Sequence, residues 1–141
     1  MPAYGKKSLA NLATADPRLQ RLFLEVIKHR DNQIVEGQRG QELQHKYFVE
    51  GKSKVDWPNG EHNATPSRAV DSVPYPIDWD KVNKNDRWAI NEMYMYAGLV
   101  RGIAIMMEIP IRIGADWDGD GTITDQQFHD LPHFELAGED S

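Results

Sequence analysis

Arg68-Ala69-Val70-Asp71-Ser72-Val73 reads as a strand entering a hydrophobic core, with small and β-branched residues on both sides of one carboxylate. Burying a carboxylate in the middle of a short apolar strand is costly unless it is paired or coordinated. Asp71 therefore either hydrogen-bonds a neighbouring turn or holds a metal ion. Upstream, residues 50 to 66 are rich in Gly, Pro, Asn, Ser and Lys with no apolar period, and read as a long surface loop. Loops of that length in compact domains are usually functional or disordered. Downstream, Pro74, Pro76 and Asp78-Trp79-Asp80 turn the chain.

Further out, helical and extended patterns mix. Asp16-Pro17 is a helix start signal, and Leu19, Leu22, Phe23, Val26 and Ile27 follow at helical spacing towards an end near Arg30 to Asn32. Gln33 to Gly37, around Ile34-Val35, reads as a strand, and Gly40 to Phe48 as a more polar helix. A long helix is predicted from Asn85 to Met107, with strands over Ile109 to Ala115 and His133 to Leu136. No internal repeat, domain linker or regular βαβ alternation is present. The expectation is a single α+β domain over residues 1–141, a small and mostly antiparallel sheet flanked by helices.

Composition narrows the function classes. Sixteen basic against 22 acidic residues give a formal net charge of −6, which argues against a nucleic-acid partner and against attraction to an anionic surface. With no cysteine, thiolate metal sites are excluded, and any transition metal must be held by His and carboxylates. Met1 to Lys7 is not followed by the apolar core of a signal peptide. The apolar tract Ala97 to Met107, broken by Gly98, Arg101 and Gly102, is too short to span a bilayer. A monomer made in the cytoplasm without membrane insertion is expected, released by something other than its own leader.

Of the five histidines, His29 near a helix end and His45 on a polar helix read as solvated. His62 lies in the functional-looking loop. Near the C-terminus stands His129-Asp130-Leu131-Pro132-His133-Phe134-Glu135-Leu136. Pro132 makes a helical His129/His133 pair untenable. In a strand starting at His133, His133 and Glu135 share a face while Phe134 points the other way. Two His and one Asp suit Zn²⁺ with a fourth position left open, the arrangement of a catalytic site. Such a centre activates water and polarises a carbonyl, and Asp130 could take the water's proton and pass it to a leaving amine.

These residues match a known pattern. Ser67-Arg68-Ala69-Val70-Asp71, preceded by His62 and followed by Pro74-Tyr75, resembles the His-to-Asp zinc segment of the VanY-like peptidases. That group comprises D-Ala-D-Ala carboxypeptidases and dipeptidases and the L-alanyl-D-glutamate endopeptidases used as phage endolysins. Asp130 to Leu136 is similar to the group's second signature, an acidic base three residues before the last zinc-binding His. The resemblance implies His62, Asp71 and His133 as zinc ligands and Asp130 as catalytic base. Gln38-Arg39 is similar to the family's Gly-x-Arg segment, which gives Arg39 the role of polarising the substrate carbonyl or holding a carboxylate. Lys52 to Asn59 and Tyr75 to Trp79 look particularly like phage and prophage endolysins. Two features depart from the pattern. Gly60-Glu61 stands where the family usually carries a Ser two residues before the ligand, and the gap from His62 to Asp71 exceeds the commonest spacing. The resemblance implies a zinc peptidase acting on the peptidoglycan stem peptide, with an antiparallel sheet carrying the ligands and release through a holin pore. L-alanyl-D-glutamate endopeptidase activity is the first expectation, and D-Ala-D-Ala carboxypeptidase activity the alternative within the group.

A second metal motif begins at Asp116. Asp116, Asp118 and Asp120 occupy positions 1, 3 and 5 of an EF-hand-like loop, with Gly121 at 6, Thr122 at 7 and Ile123 at 8. Position 12 is Gln127 rather than a bidentate Glu, and such Asp/Gly-rich turns also occur as solvated β-loops. Asp116, Asp118, Asp120 and Thr122 are the candidate Ca²⁺ ligands, and a non-catalytic calcium-binding module is the rival from another class. Trp88, Tyr94 and Tyr96 read as core and rim. Trp57 and Trp117 lie on loops where a substrate groove could run.

Overall fold

The computed structural model describes residues 2–121 and 130–138. Its elements run α1 (Lys6–Ala13), α2 (Pro17–Val26), β1 (Asn32–Glu36), α3 (Gln41–Val49), β2 (Ala69–Pro74), α4 (Trp79–Asn83), α5 (Arg87–Met106), β3 (Ile111–Ile113) and β4 (His133–Leu136). A single 3₁₀ turn, Glu61–Asn63, interrupts the long loop. The four strands form one antiparallel sheet in the order β1-β2-β4-β3, which is the expected α+β architecture.

The capping signal at Asp16-Pro17 works as read, and the structure adds a second cap at Asp86. The Asp16 side chain accepts the Arg18 amide at 2.9 Å with Pro17 at the first helical position, and Asp86 accepts the Ala89 amide at 3.1 Å to start α5. The helix α2 ends at Val26, earlier than its apolar period implied. Its last turn tightens, Lys28 donating to the Glu25 carbonyl and His29 to that of Val26, and the chain then swings into β1. Two helices lie outside the sequence expectations. Helix α1 has a weak apolar stripe that buries only Leu12 and Ser8, and the one-turn α4 forms where a turn was expected.

One face of the sheet is apolar. Ile34, Val70, Ile113, Phe134 and Leu136 pack against Leu12, Leu19, Leu22, Phe23 and Val26 of α1 and α2 and against Tyr96, Val100 and Ala104 of α5. Phe134 meets Phe23 and Tyr96 edge-to-face, with ring centroids at 5.6 and 6.1 Å. Such pairs add about 0.5–1.5 kcal/mol each beyond area burial. Tyr96 reaches through this core so that its hydroxyl meets that of Ser72 at 2.6 Å. Trp88 stays on the rim, largely exposed. The opposite face of the sheet is polar. Period-two alternation puts Asp71, His133, Glu135 and Arg112 there, and α3 with the 52–62 loop stands over it.

Candidate metal centre and active site

Strand register brings the first two residues of the site together. Asp71 on the central strand β2 is the cross-strand partner of His133 on β4. His62 arrives from the 3₁₀ turn and is fixed twice to residues 37–39: its Nδ1–H donates to the Gly37 carbonyl at 2.7 Å, and its own carbonyl accepts the Arg39 amide at 2.7 Å. Gly37 itself packs on the end of α1, where a Cβ would collide with Thr14 and with the Asn11 carbonyl. The His62 imidazole, with no Ser two residues before it, is thus supported by a backbone carbonyl from another segment.

Three donor atoms converge. His62 Nε2 lies 3.1 Å from Asp71 Oδ1 and 3.3 Å from His133 Nδ1, and His133 Nδ1 lies 3.3 Å from Asp71 Oδ1. His133 turns its other nitrogen, Nε2, to Glu135 Oε1 at 2.8 Å. With Gly37 and Glu135 taking the outer N–H of each imidazole, both inner nitrogens can present lone pairs to a common point. Tetrahedral bonds of about 2.0–2.1 Å to zinc would set ligand atoms about 3.3–3.4 Å apart. The observed spacings match that geometry, so this buried group could hold a metal ion.

Charge coupling within the group is strong. Burial alone would raise the Asp71 carboxyl, but the His62 and His133 imidazoles outweigh it and hold it well below the usual carboxylate range. Burial would lower His133, yet its hydrogen bonds to Asp71 and Glu135 push it up to about 10. Asp130 is raised to about 6, by burial first and then by the neighbouring Asp71 carboxylate.

Asp130 Oδ2 is 3.9 Å from His133 Nδ1. Backbone bonds hold the residue: its amide donates to the Gly114 carbonyl at 3.0 Å, and its carbonyl accepts the His133 amide at 3.0 Å. Arg39 is buried, its Nη2 3.9 Å from Asp71 Oδ2. Glu36 pairs with its guanidinium, Gln44 Oε1 accepts from Nη1 at 2.8 Å, and the Tyr47 ring lies 4.8 Å beneath it. Sequence reasoning did not single out Glu36, Gln44 or Asn63. Gln44 is fully buried and joins Arg39, Asn63, Ser53 and Val55, and Asn63 also donates to the Arg39 carbonyl. No sequence signal marks Gln44, which sits on a polar helix like its neighbours.

His62, Asp71, His133, Asp130, Arg39 and Gln44 line one cleft of about 640 Å³, with Tyr47, Lys52 and Arg112 on its walls. Trp117 packs beside His133, ring centroids 5.2 Å apart, and lines the cleft, whereas Trp57 is not part of the lining. His29 and His45 are exposed and pair with Glu25 and Asp56, as solvated residues do.

The acidic loop is also assembled. Ligand oxygens of Asp116, Asp118 and Asp120 lie within 4.8 Å of one another. Asp116 is buried, and its Oδ2 accepts from Arg101 Nη1 at 2.9 Å and from the Gly121 amide at 2.8 Å. Thr122, Ile123 and Gln127 of the motif, and His129, lie outside the described residues.

A small α+β domain whose cleft holds a His–Asp–His group beside a raised carboxylate is consistent with a metallopeptidase. Comparison with known proteins specifies the class further. Residues 2–137 match the family described as phage L-alanyl-D-glutamate peptidase, and the chain belongs to that family. It is thus a peptidoglycan peptidase by family. The crystal structure of the Serratia marcescens L-Ala D-Glu endopeptidase ChiX superposes with a TM-score of 0.70 at 22% identity, over 96% of this chain and 90% of that one, so the fold is shared. Curated protein sequences give no match. No helix among the described residues is long and apolar enough to cross a membrane.

Proposed function

We propose that this chain is a zinc-dependent endopeptidase that hydrolyses the L-alanyl-D-glutamate bond of the peptidoglycan stem and serves as a phage endolysin. The observation that carries the reading is the donor triangle of His62, Asp71 and His133, with sides of 3.1–3.3 Å. Its two imidazole nitrogens and one carboxylate oxygen suit zinc better than calcium or magnesium, which prefer all-oxygen shells. Zinc bound there supplies Lewis-acid activation of water and of the scissile carbonyl.

The chain's own residues do the remainder. Asp130 stands beside the trio with its carboxyl raised to about 6, so it is ionised at neutral pH yet basic enough to accept a proton from the attacking water. It then delivers that proton to the glutamate nitrogen as the peptide bond breaks. Arg39, held against Asp71 by Glu36 and Gln44, presents a fixed positive charge to the substrate carbonyl as negative charge develops there. Glu135 and Gly37 keep the imidazoles in the tautomer that binds metal.

Digestion of purified muropeptides followed by mass spectrometry tests the bond. New N-terminal D-glutamate supports the reading, and release of free D-Ala alone would assign the D-Ala-D-Ala carboxypeptidase activity instead. Endolysin function predicts host lysis that requires a co-expressed holin.

A second, calcium-binding reading is favoured by one observation: Asp116 Oδ1 is buried without a hydrogen-bond partner among the described residues. Asp116 and Asp118 flank Trp117, which packs on His133, so an ion there would stiffen one wall of the cleft. Calcium titrated into zinc-loaded protein should raise the melting temperature. No change in melting or activity counts against this site.

A further inference from the structure

An L-alanyl-D-glutamate substrate brings an anion to the cleft. Glutamate carries two carboxyl groups, and a linear chain can continue through only one, so the other remains free close to the scissile nitrogen. Outside the metal ligands the cleft walls carry the carboxylates Glu61, Asp130 and Glu135, so that charge needs a cation beside it. Arg39 is the obvious cation, but its guanidinium is engaged by Glu36, Gln44 and the Tyr47 ring. Lys52 lies 3.3 Å from Glu50 and over the Tyr47 ring, on the α3 side of the cleft, and Lys54, two residues on in the same loop, has an interaction partner of its own.

Arg112 differs from these. It sits on β3 directly across from Glu135, so strand alternation places it on the polar face with His133. Its side chain is 48% exposed, and among the described residues its charged neighbour is Glu135 at 3.9 Å, beyond hydrogen-bond length. Its planar fork therefore has donors to spare for a bidentate carboxylate. The position also fits the direction of the reaction. Asp130, which delivers the proton to the leaving nitrogen, hangs from Gly114, two residues beyond Arg112 on the same edge of the sheet. The glutamate side of the scissile bond must therefore lie towards β3.

Resting on the endopeptidase reading above, we infer that Arg112 binds the free carboxylate of the substrate glutamate and sets specificity for the acid over its carboxamide. The test uses two synthetic stem peptides that differ only in that group, carboxylate or carboxamide, with zinc-loaded wild type, Arg112→Gln and Arg112→Lys. Wild type should favour the acid by about 10- to 100-fold in kcat/KM, mostly through KM, the size of effect expected when a charge-assisted hydrogen bond is removed. Arg112→Gln should bring the ratio close to one, and Arg112→Lys should restore part of it. Equal cleavage of both peptides by wild type, a comparison that needs no variant, would overturn the assignment. So would an unchanged preference in a folded Arg112→Gln. Cleavage of neither peptide, with D-Ala released from intact stems, would overturn the endopeptidase reading and this inference with it.

Discussion

Gly114→Ala probes the placement of the base without replacing any acid or candidate ligand. A Cβ on Gly114 would lie 2.7 Å from the Asp130 carbonyl carbon, closer still to its oxygen, and 3.1 Å from Asp130 Cβ. Both partners are backbone or nearly so, and no flexible side-chain end can swing aside. The 130 segment must retreat by about 1 Å or more, straining the Asp130 N–H to Gly114 carbonyl bond and the Gly114 N–H to His133 carbonyl bond. Overpacking of this kind costs about 1–3 kcal/mol of stability. A displacement of about 1 Å in a catalytic group costs on the order of 10²-fold in rate, and loss of general-base action about 10²- to 10⁴-fold. Turnover of a stem-peptide substrate should therefore fall at least about 100-fold, while the protein still folds and carries one zinc. The assay pairs kcat with metal content and a melting curve. Gly98→Ala is the control, since among the described residues nothing lies within 4 Å of a Cβ there. Wild-type turnover in Gly114→Ala would refute the placement of Asp130 as base.

Gly98→Ala itself should raise stability by about 0.5–1 kcal/mol, because Gly98 is exposed inside α5; urea unfolding measures this. Phe134→Ala, which empties the contact with Phe23 and Tyr96, should cost about 3–5 kcal/mol in the same assay. Asp130 must be ionised to act, so activity should fall as pH drops through about 6. A cation at the trio lowers that point further, and an acid limb above pH 7 would contradict the assignment. His133, at about 10 in the metal-free protein, carries a proton at pH 7 that it must lose on binding metal. Calorimetric zinc binding in buffers of different ionisation enthalpy should report about one proton released, and a slope of zero would contradict the His133 ligand.

Much of this arrangement was legible from residue order because it depends on short-range pattern. The period-two pattern from His133 to Leu136 set His133 and Glu135 on one face and Phe134 on the other, and Asp16-Pro17 marked the start of α2. The long-range contacts were not legible. Gly37, 25 residues before His62, supplies its imidazole's acceptor, and no local pattern announces a carbonyl that does so. The role of Gly114 likewise appears only when β3 and the 130 segment are side by side. Gln44 looked like an ordinary polar helix residue until the 52–55 loop folded over it. The resemblance to zinc peptidases named the candidate ligands, and the geometry added what holds them in place.

Zinc reconstitution tests the central claim most directly. Protein stripped by a chelator and titrated with zinc should regain cleavage of the L-alanyl-D-glutamate bond in proportion to metal, saturating at about one equivalent per chain, with His133→Ala failing to do so. Full activity in the stripped protein, or equal reconstitution of His133→Ala, would contradict a catalytic zinc held by His62, Asp71 and His133.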